Sequence, residues 1–518
     1  MSNWWDDAVV YQVYPRSLQD SNGDGVGDLR GIISRLDYIA GLGVEAIWLN
    51  PFQPSPQVDN GYDVTQYVGV DPLFGNDADL DELIDEAHQR GLKVLVDVVP
   101  NHCSSQHPLF QAALDAGPGS PEREMFHFRA SPDREPPNNW QSVFGGRAWD
   151  PADPESATDD EWYLHLFSAA QPDWNWENPR VHDMFDSILR EWFDRGVDGM
   201  RVDVAHALVK APGLPDTDQV DDVVDGLRAN PLVSDQEPVH EIYRRWHQIA
   251  RSYPEPKCLV GEVNLEPERA ARFARPDELD QAFTFSFVKL PWDSHAWVET
   301  ATALESAREA NDSGLAWAIE NHDVRRAVTR YGGGLIGEQR ARAAVLALLA
   351  LPGAVYVYQG QELGLPEVEI PEERRLDPMW RRGRVCRDGV RVPLPWKCDP
   401  EGGHGFTLPG VEPWLPQPPD WGKYVVELAE TDPNSTLHLV REAIGFRREL
   451  RSRLAQHRRA SWTLTSAGGV KISRGPLTVL IAMGNASEHM SDGEVLINSA
   501  ELVDGKLPPN ASAWIWRP

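Results

Sequence analysis

Three carboxylates, Asp203, Glu262 and Asp323, stand far apart in the chain, yet each closes a short apolar run: GMRVD (199–203), LVGE (259–262) and AIENHD (318–323). One acidic residue at the end of such a run is more often a cap or a surface charge. Three of them carry another meaning, because the strand C-termini of a closed parallel barrel open on one face, where residues distant in sequence share a pocket. Arg201 lies two residues before Asp203, on the same face of its strand, which favours an ionised carboxylate fit for nucleophilic attack. An apolar surround would raise Glu262 and suit it to donate a proton near neutral pH. On adjacent strands the two would stand ~5–5.5 Å apart, the spacing for retaining double displacement at a glycosidic bond.

The elements that must hold these groups are legible as alternating β-rich and amphipathic stretches. Eight strands are predicted at 8–14, 46–50, 94–100, 199–204, 258–263, 282–287, 315–319 and 355–359, with helical spacing at 31–42, 80–90, 181–195 and 241–251. Eight βα units close a (β/α)8 TIM barrel, an α/β fold, over 1–102 and 176–448. Residues 103–175, rich in Pro, Trp, Phe and Gly, form an inserted small domain after strand three, and a second insert, about 360–421, forms a rim or lid. Past 449 the pattern turns to short alternating strands (462–465, 470–473, 477–482, 513–516), expected as a C-terminal antiparallel β-sandwich over 449–518.

Composition narrows the partners. With 80 acidic against 49 basic residues the formal charge is −31, which repels phosphate backbones and anionic headgroups, so nucleic acid is excluded as a partner. No apolar run approaches the ~18 residues of a membrane span, and the N-terminus has no signal-peptide pattern, so no membrane partner is expected and the expected location is cytoplasmic. Four cysteines (Cys103, Cys258, Cys386, Cys398) read as reduced thiols, although Cys386 and Cys398 are close enough to invite a loop disulfide. The 20 Trp suit flat, uncharged ligands such as sugars, or the core. Oxygen-bearing residues alternate through Asp20, Asn22, Asp24, Val26 (by its carbonyl) and Asp28, as a hard cation requires; Gly31 at the twelfth position, where an EF-hand needs Glu, rejects that motif. A structural Ca²⁺ is expected there, with Mg²⁺ as the alternative, and no organic cofactor.

The ordered runs DVVPNH (97–102), GMRVDVAH (199–206), LVGEV (259–263) and ENHD (320–323), with QPDWN (171–175), closely resemble the motifs of the α-amylase family of glycoside hydrolases, family 13. DNGYDVTQY (59–67), SVFGGRAW (142–149), VYQGQELGL (357–365) and RDGVRVPLPW (387–396) are similar to its α-glucosidase and oligo-1,6-glucosidase branch. The resemblance implies Asp203 as nucleophile, Glu262 as general acid/base and Asp323 as the carboxylate that holds the glucosyl ring. It further implies that His102, Arg201 and His322 bind hydroxyls and Tyr62 stacks on the sugar. Asp63 and Arg391 would grip its far end, with Arg387 nearby, while Gln171, Phe144 and Phe167 line the mouth. A clamp at one end implies exo action on short α-glucosides, by a monomer or homodimer, with transfer to sugar acceptors as a side activity. Val204 is the residue type that goes with α-1,6 preference, whereas the continuation AHALVK (205–210) resembles maltase-type enzymes; α-1,4 is the expected preference. A sucrose isomerase or trehalose-active transferase would use the same carboxylates, but the isomerase motif RLDRD is replaced by VRRAVTR (324–330). A catalytically inert scaffold such as a transporter heavy chain is disfavoured because all three carboxylates are present.

Overall fold

Eight parallel strands close into a barrel in the computed structural model: β1 (Val9–Val13), β2 (Ala46–Leu49), β3 (Lys93–Val98), β4 (Gly199–Val202), β5 (Cys258–Glu262), β6 (Gln281–Phe283), β7 (Leu315–Trp317) and β8 (Ala354–Tyr358). The structure describes residues 3–156, 158–218, 230–381, 383 and 385–517. Each strand pairs with its sequence neighbours, and β8 returns to β1 with Val355 opposite Val9, so no edge is left unpaired. The strands are buried on both faces, as a helix-covered parallel sheet demands. Trp48, Leu95, Val260, Phe283 and Tyr356 fill the interior, and a larger core lies between the strands and the helices. At the start of β4 a Cβ on Gly199 would come within 2.7 Å of the Cys258 carbonyl oxygen, so only glycine lets β4 and β5 approach this closely.

The outer helices begin on side-chain caps. Asp28 accepts from the Gly31 amide to open Leu29–Gly41, Asn76 and Asp79 form a capping box for Asp77–Gln89, and Asn178 with Pro179 starts Pro179–Asp194. Val239–Arg251 buries Val239, Ile242, Tyr243, Trp246, Ile249 and Ala250, one continuous stripe at helical spacing. The sixth strand is shorter than expected: Thr284 caps the amide of Ser286 and turns the chain into the short helix Phe285–Val288, so β6 ends at Phe283.

Between residues 103 and 175 the chain makes the helix Pro108–Ala116 and a small antiparallel sheet of Phe128–Ala130, Glu161–Leu164 and Trp149–Pro151. Its core of Trp140, Trp149, Trp162 and Leu164 continues into Val204, Ala207 and Leu214 after β4, so this segment and the loop behind β4 share one set of contacts. Among the described residues, the segment 360–421 has only short turns of helix, such as Gln361–Leu363, Pro378–Arg381 and Asp388–Val390. The helix Thr436–Leu454 runs across the boundary expected at 449, because Leu450 and Leu454 prolong its buried stripe. Beyond it lies an antiparallel sheet in the order Ser461–Leu464, Val470–Arg474, Leu477–Ile481, Ser512–Trp516, Glu494–Asn498, with a two-stranded ribbon of Glu488–His489 and Lys506–Leu507.

All four cysteines are free, and Cys386 Sγ contacts Asp388 Oδ2 at 3.4 Å, so the loop disulfide is not formed. Trp48, Trp140, Trp149, Trp174, Trp192 and Trp246 are almost wholly buried, which makes them packing residues, not sugar platforms. Among the described residues no helix is long and apolar enough to cross a membrane.

Candidate active site

The C-terminal ends of the strands bring the separated motifs together around one cavity lined by Asp59, Tyr62, His102, Phe144, Phe167, Asp203, Val204, Glu262, Asp323 and Arg387. Its volume of about 60 Å³ makes it a small cavity with space for a few waters.

Asp97 on β3 faces Arg201 on β4 in register, and Arg201 faces Val260 on β5. From that position Arg201 donates to Asp203 at 2.7 Å and to Glu262, with Asp97 3.5 Å away and the Trp48 ring beneath its guanidinium at 5.0 Å. One cation thus serves three buried carboxylates. Burial pushes Asp203 well above the ordinary carboxylate range; Arg201 pulls it back, while Glu262 and Asp97 push it further. Asp97 is raised to about 6 by burial, against the pull of Arg201 and of the Tyr62 and Trp48 hydrogen bonds. Arg201 acts on Asp203 in the expected direction, but the surround of Glu262 is not apolar as expected, because the same guanidinium is shared with it.

Asp323 is the opposite case. Burial would raise it, but His322, Arg387, Arg391 and Arg201 outweigh burial and hold it well below the usual range. Both Arg387 (3.1 Å) and Arg391 (2.7 Å) donate to its Oδ1. His322 stacks on Tyr62 with ring centroids 5.5 Å apart, and its Nδ1 lies 2.8 Å from Gln12 Nε2 and its Nε2 2.7 Å from the Tyr62 hydroxyl. Burial lowers His322 to about 3 and His102 to about 4, so both rings are neutral donors or acceptors at pH 7.

At the far end of the cavity the pairing differs from the one expected. Asp59, not Asp63, lines it and pairs with Arg387 at 3.0 Å. Asp63 spends its oxygens on Ser55 Oγ and the amides of Val58 and Asp59, which shapes the turn that presents Asp59. Arg391 is fully buried behind Asp323, where it also donates to the His322 carbonyl, and it does not line the cavity. Asp377 in the 360–421 segment accepts from the Arg387 amide at 2.6 Å and its guanidinium at 2.9 Å, fixing the clamp from behind. Gln171 also stands behind the wall, donating to Asp59 at 3.1 Å and lying 3.1 Å from His102 Nε2. Phe144 and Phe167 pack edge to face at 5.5 Å, with Arg387 over Phe144 and His102 against Phe167.

Two further features were not anticipated. Val204, in the wall, has φ +46°, a left-handed conformation rare for a β-branched residue, enforced by hydrogen bonds from the Asp203 amide to Val98 and from the Ala205 amide to Glu262. Lys210, almost wholly buried, donates to Asn101 Oδ1 (2.8 Å) and Asp173 Oδ2 (2.9 Å), which turns the Asn101 amide nitrogen toward His102 Nδ1 (3.2 Å). The sequence signal for Lys210 was only its position seven residues after Asp203.

In the 20–28 loop, Asp20 accepts from the amides of Asn22, Gly23 and Gly25, Asn22 from that of Asp24, and Asp24 from that of Val26. Asp28 accepts from Ser21 and Gly31. Both Asp20 oxygens and Asp28 Oδ1 already accept two hydrogen bonds each, so a divalent ion would have to lean on Asn22 Oδ1, Asp24, Asp28 Oδ2 and the Val26 carbonyl. Among the described residues no three His, Cys, Asp or Glu side chains converge as a metal-holding group.

A family model for the alpha amylase catalytic domain matches residues 12–456. The chain is 38% identical over 469 residues to a probable alpha-glucosidase of Rhizobium meliloti (strain 1021), covering 86% of this chain and 83% of that protein. To an oligo-1,6-glucosidase of Parageobacillus thermoglucosidasius it is 34% identical over 484 residues, covering 86% and 84%. Among solved structures it resembles the alpha-glucosyl transfer enzyme XgtA, with a TM-score of 0.90, 33% identity and 100% of both chains covered.

Proposed function

The chain belongs to the alpha-amylase family, and from that membership we propose that it is a retaining, exo-acting α-glucosidase that releases terminal glucose from short α-glucosides. The observation that carries this reading is a small cavity closed by the Asp59–Arg387 pair and bordered by Asp203, Glu262 and Asp323. A closed end admits a chain terminus and refuses a chain interior.

In the reaction, Glu262 gives its proton to the glycosidic oxygen as the Asp203 carboxylate attacks C1; the C1–O bond breaks and a glucosyl ester forms. Glu262 then takes a proton from water, whose oxygen attacks C1 and releases Asp203. Arg201 donates to both Asp203 and Glu262, so one guanidinium holds the nucleophile and the acid side by side at the anomeric centre. Positive charge growing at the anomeric centre faces three carboxylates served by one guanidinium, so the transition state relieves the crowding the resting site endures. A sugar hydroxyl in place of water gives transglucosylation.

Maltose-type α-1,4 linkages are the favoured substrates. Val204 in the cavity wall supports isomaltose-type α-1,6 substrates as the second reading. Initial glucose release from maltose, isomaltose, sucrose and trehalose decides between them. Asp203→Asn should lower every rate by roughly 10⁴-fold or more while the fold stays intact. Full activity of that variant refutes the nucleophile, and transferred product without free glucose replaces hydrolysis with glucosyl transfer.

A further inference from the structure

Beneath the barrel, at the end opposite the carboxylates, a cavity of about 540 Å³ lies between the residues just before β1 and β8, the helices Ser294–Asn311 and Thr436–Leu454, and the C-terminal sheet. Four arginines line it, Arg308, Arg451, Arg458 and Arg474, against two carboxylates, Asp6 and Asp7, with Trp4 and Pro352 as flat walls. In a chain of formal charge −31, a cavity with an excess of cations runs against the field of the whole molecule. We propose that this cavity is a second ligand site, one that binds a phosphate group, free or carried on a sugar.

The guanidiniums are held in advance. Arg474, with its side chain 7% exposed, donates to the carbonyls of His457 and Ala350. Arg451 pairs with Glu45 at 2.6 Å, and Arg308 with Glu305 at 3.3 Å and with the Arg458 carbonyl. Behind them Arg447 caps the carbonyls of Leu349, Leu351 and Gly353.

Donor capacity is left over. Among the described residues Arg458, exposed at the cavity, has no acidic partner within 4.0 Å, and Asp6 acts on it only at longer range. Asp7 is spread thin: it stands 3.6 Å from Arg474 and 3.8 Å from Arg447, both beyond hydrogen-bond length. Arg447 is lowered to about 10, chiefly by burial; Asp7 and Glu45 act against the shift, while Arg474 and Arg451 add to it. An oxyanion with several acceptor oxygens would take the unfilled donors, as bidentate guanidinium pairing does elsewhere. It would also tie the N-terminal segment, the barrel floor and the C-terminal sheet together, so binding should raise thermal stability.

Melting curves of the full chain in inorganic phosphate, in glucose 6-phosphate and in chloride at equal ionic strength test the site. About 10 mM phosphate should raise Tm by roughly 2 °C over chloride, and Arg458→Ala, an exposed change that leaves the core alone, should lose at least half of that shift. A larger Arg458-dependent shift with glucose 6-phosphate assigns the site to phosphorylated sugars; equal shifts assign it to free phosphate. Equal melting in phosphate and chloride, or an undiminished shift in Arg458→Ala, overturns the proposal whatever substrate the carboxylates use.

Discussion

Arg387 touches Asp59, Asp323 and Asp377 at once, so the closed end of the active cavity depends on which of these carboxylates is charged. Burial raises Asp59 from 3.8 to about 6, with Arg387 and Arg391 pulling down and Asp377 and Asp63 pushing up. The folded state therefore binds this proton more tightly than the unfolded chain does. The stability it contributes is full at low pH and is lost as pH rises from about 4 to about 6, whereas in the folded protein the charge that pairs with Arg387 appears as pH rises through about 6. Acidification through about 6 should then raise KM, because the sugar's far end loses an ionised acceptor. Asp59→Asn should raise KM by roughly tenfold at pH 7 and flatten that limb, read from KM against pH for both proteins. An unchanged limb in the variant assigns the titration to another group. The sequence DNGYD offers two aspartates four residues apart, and its pattern cannot say which one faces the sugar: backbone amides claim Asp63, a choice that only the folded turn makes. The same holds for Arg387 and Arg391, one at the wall and one behind it. Asp203 and Glu262 were legible because strand register leaves them no alternative face, whereas Asp323 lies six residues past the end of β7 and is held by Arg387 and Arg391.

Strands were the easiest elements to read, since each is a buried apolar run ending in polar residues, and their sequential pairing follows from closure of the barrel. The small sheet at 128–164 was not legible, because strands of three or four residues carry too little periodicity. Glu494–Asn498 was missed for a related reason: a register shift between Val495 and Ile497 breaks its alternation. The loop at 20–28 is the element whose chemistry is most exposed to test. Its chain of side-chain to amide hydrogen bonds shapes it without help, and Thr407 Oγ1 from the 360–421 segment also donates to Asp20. We propose that a divalent ion completes it. Extensive treatment with EDTA, followed by melting, should then lower Tm by several degrees, with recovery on adding Ca²⁺, while initial rates at low temperature change by less than about twofold. An unchanged Tm means that the hydrogen bonds alone hold the loop.

At the scale of the molecule, the C-terminal sheet stands away from the carboxylates and braces the barrel from outside. Its strand Ser512–Trp516 packs on the helix Gly334–Leu349, where Trp514 Nε1 donates to the Leu346 carbonyl at 2.9 Å and Ser512 Oγ to that of Ala343 at 2.8 Å. Trp514 is fully buried, so Trp514→Ala removes a large apolar side chain and leaves a cavity, a loss of about 3–5 kcal/mol. Trp514→Phe keeps most of the packing and loses one hydrogen bond, a loss nearer to about 1 kcal/mol. If the sheet is a brace, Tm should fall by several degrees in the alanine variant and much less in the phenylalanine variant. The kcat/KM of either variant, measured well below its Tm, should stay within about twofold of the parent, because the helix that Trp514 touches leads into β8 from below and holds no residue of the cavity. A large loss of kcat/KM in a variant that still melts cooperatively would mean that the sheet reaches the active site through that helix, and the brace would have to be redrawn as part of the catalytic frame.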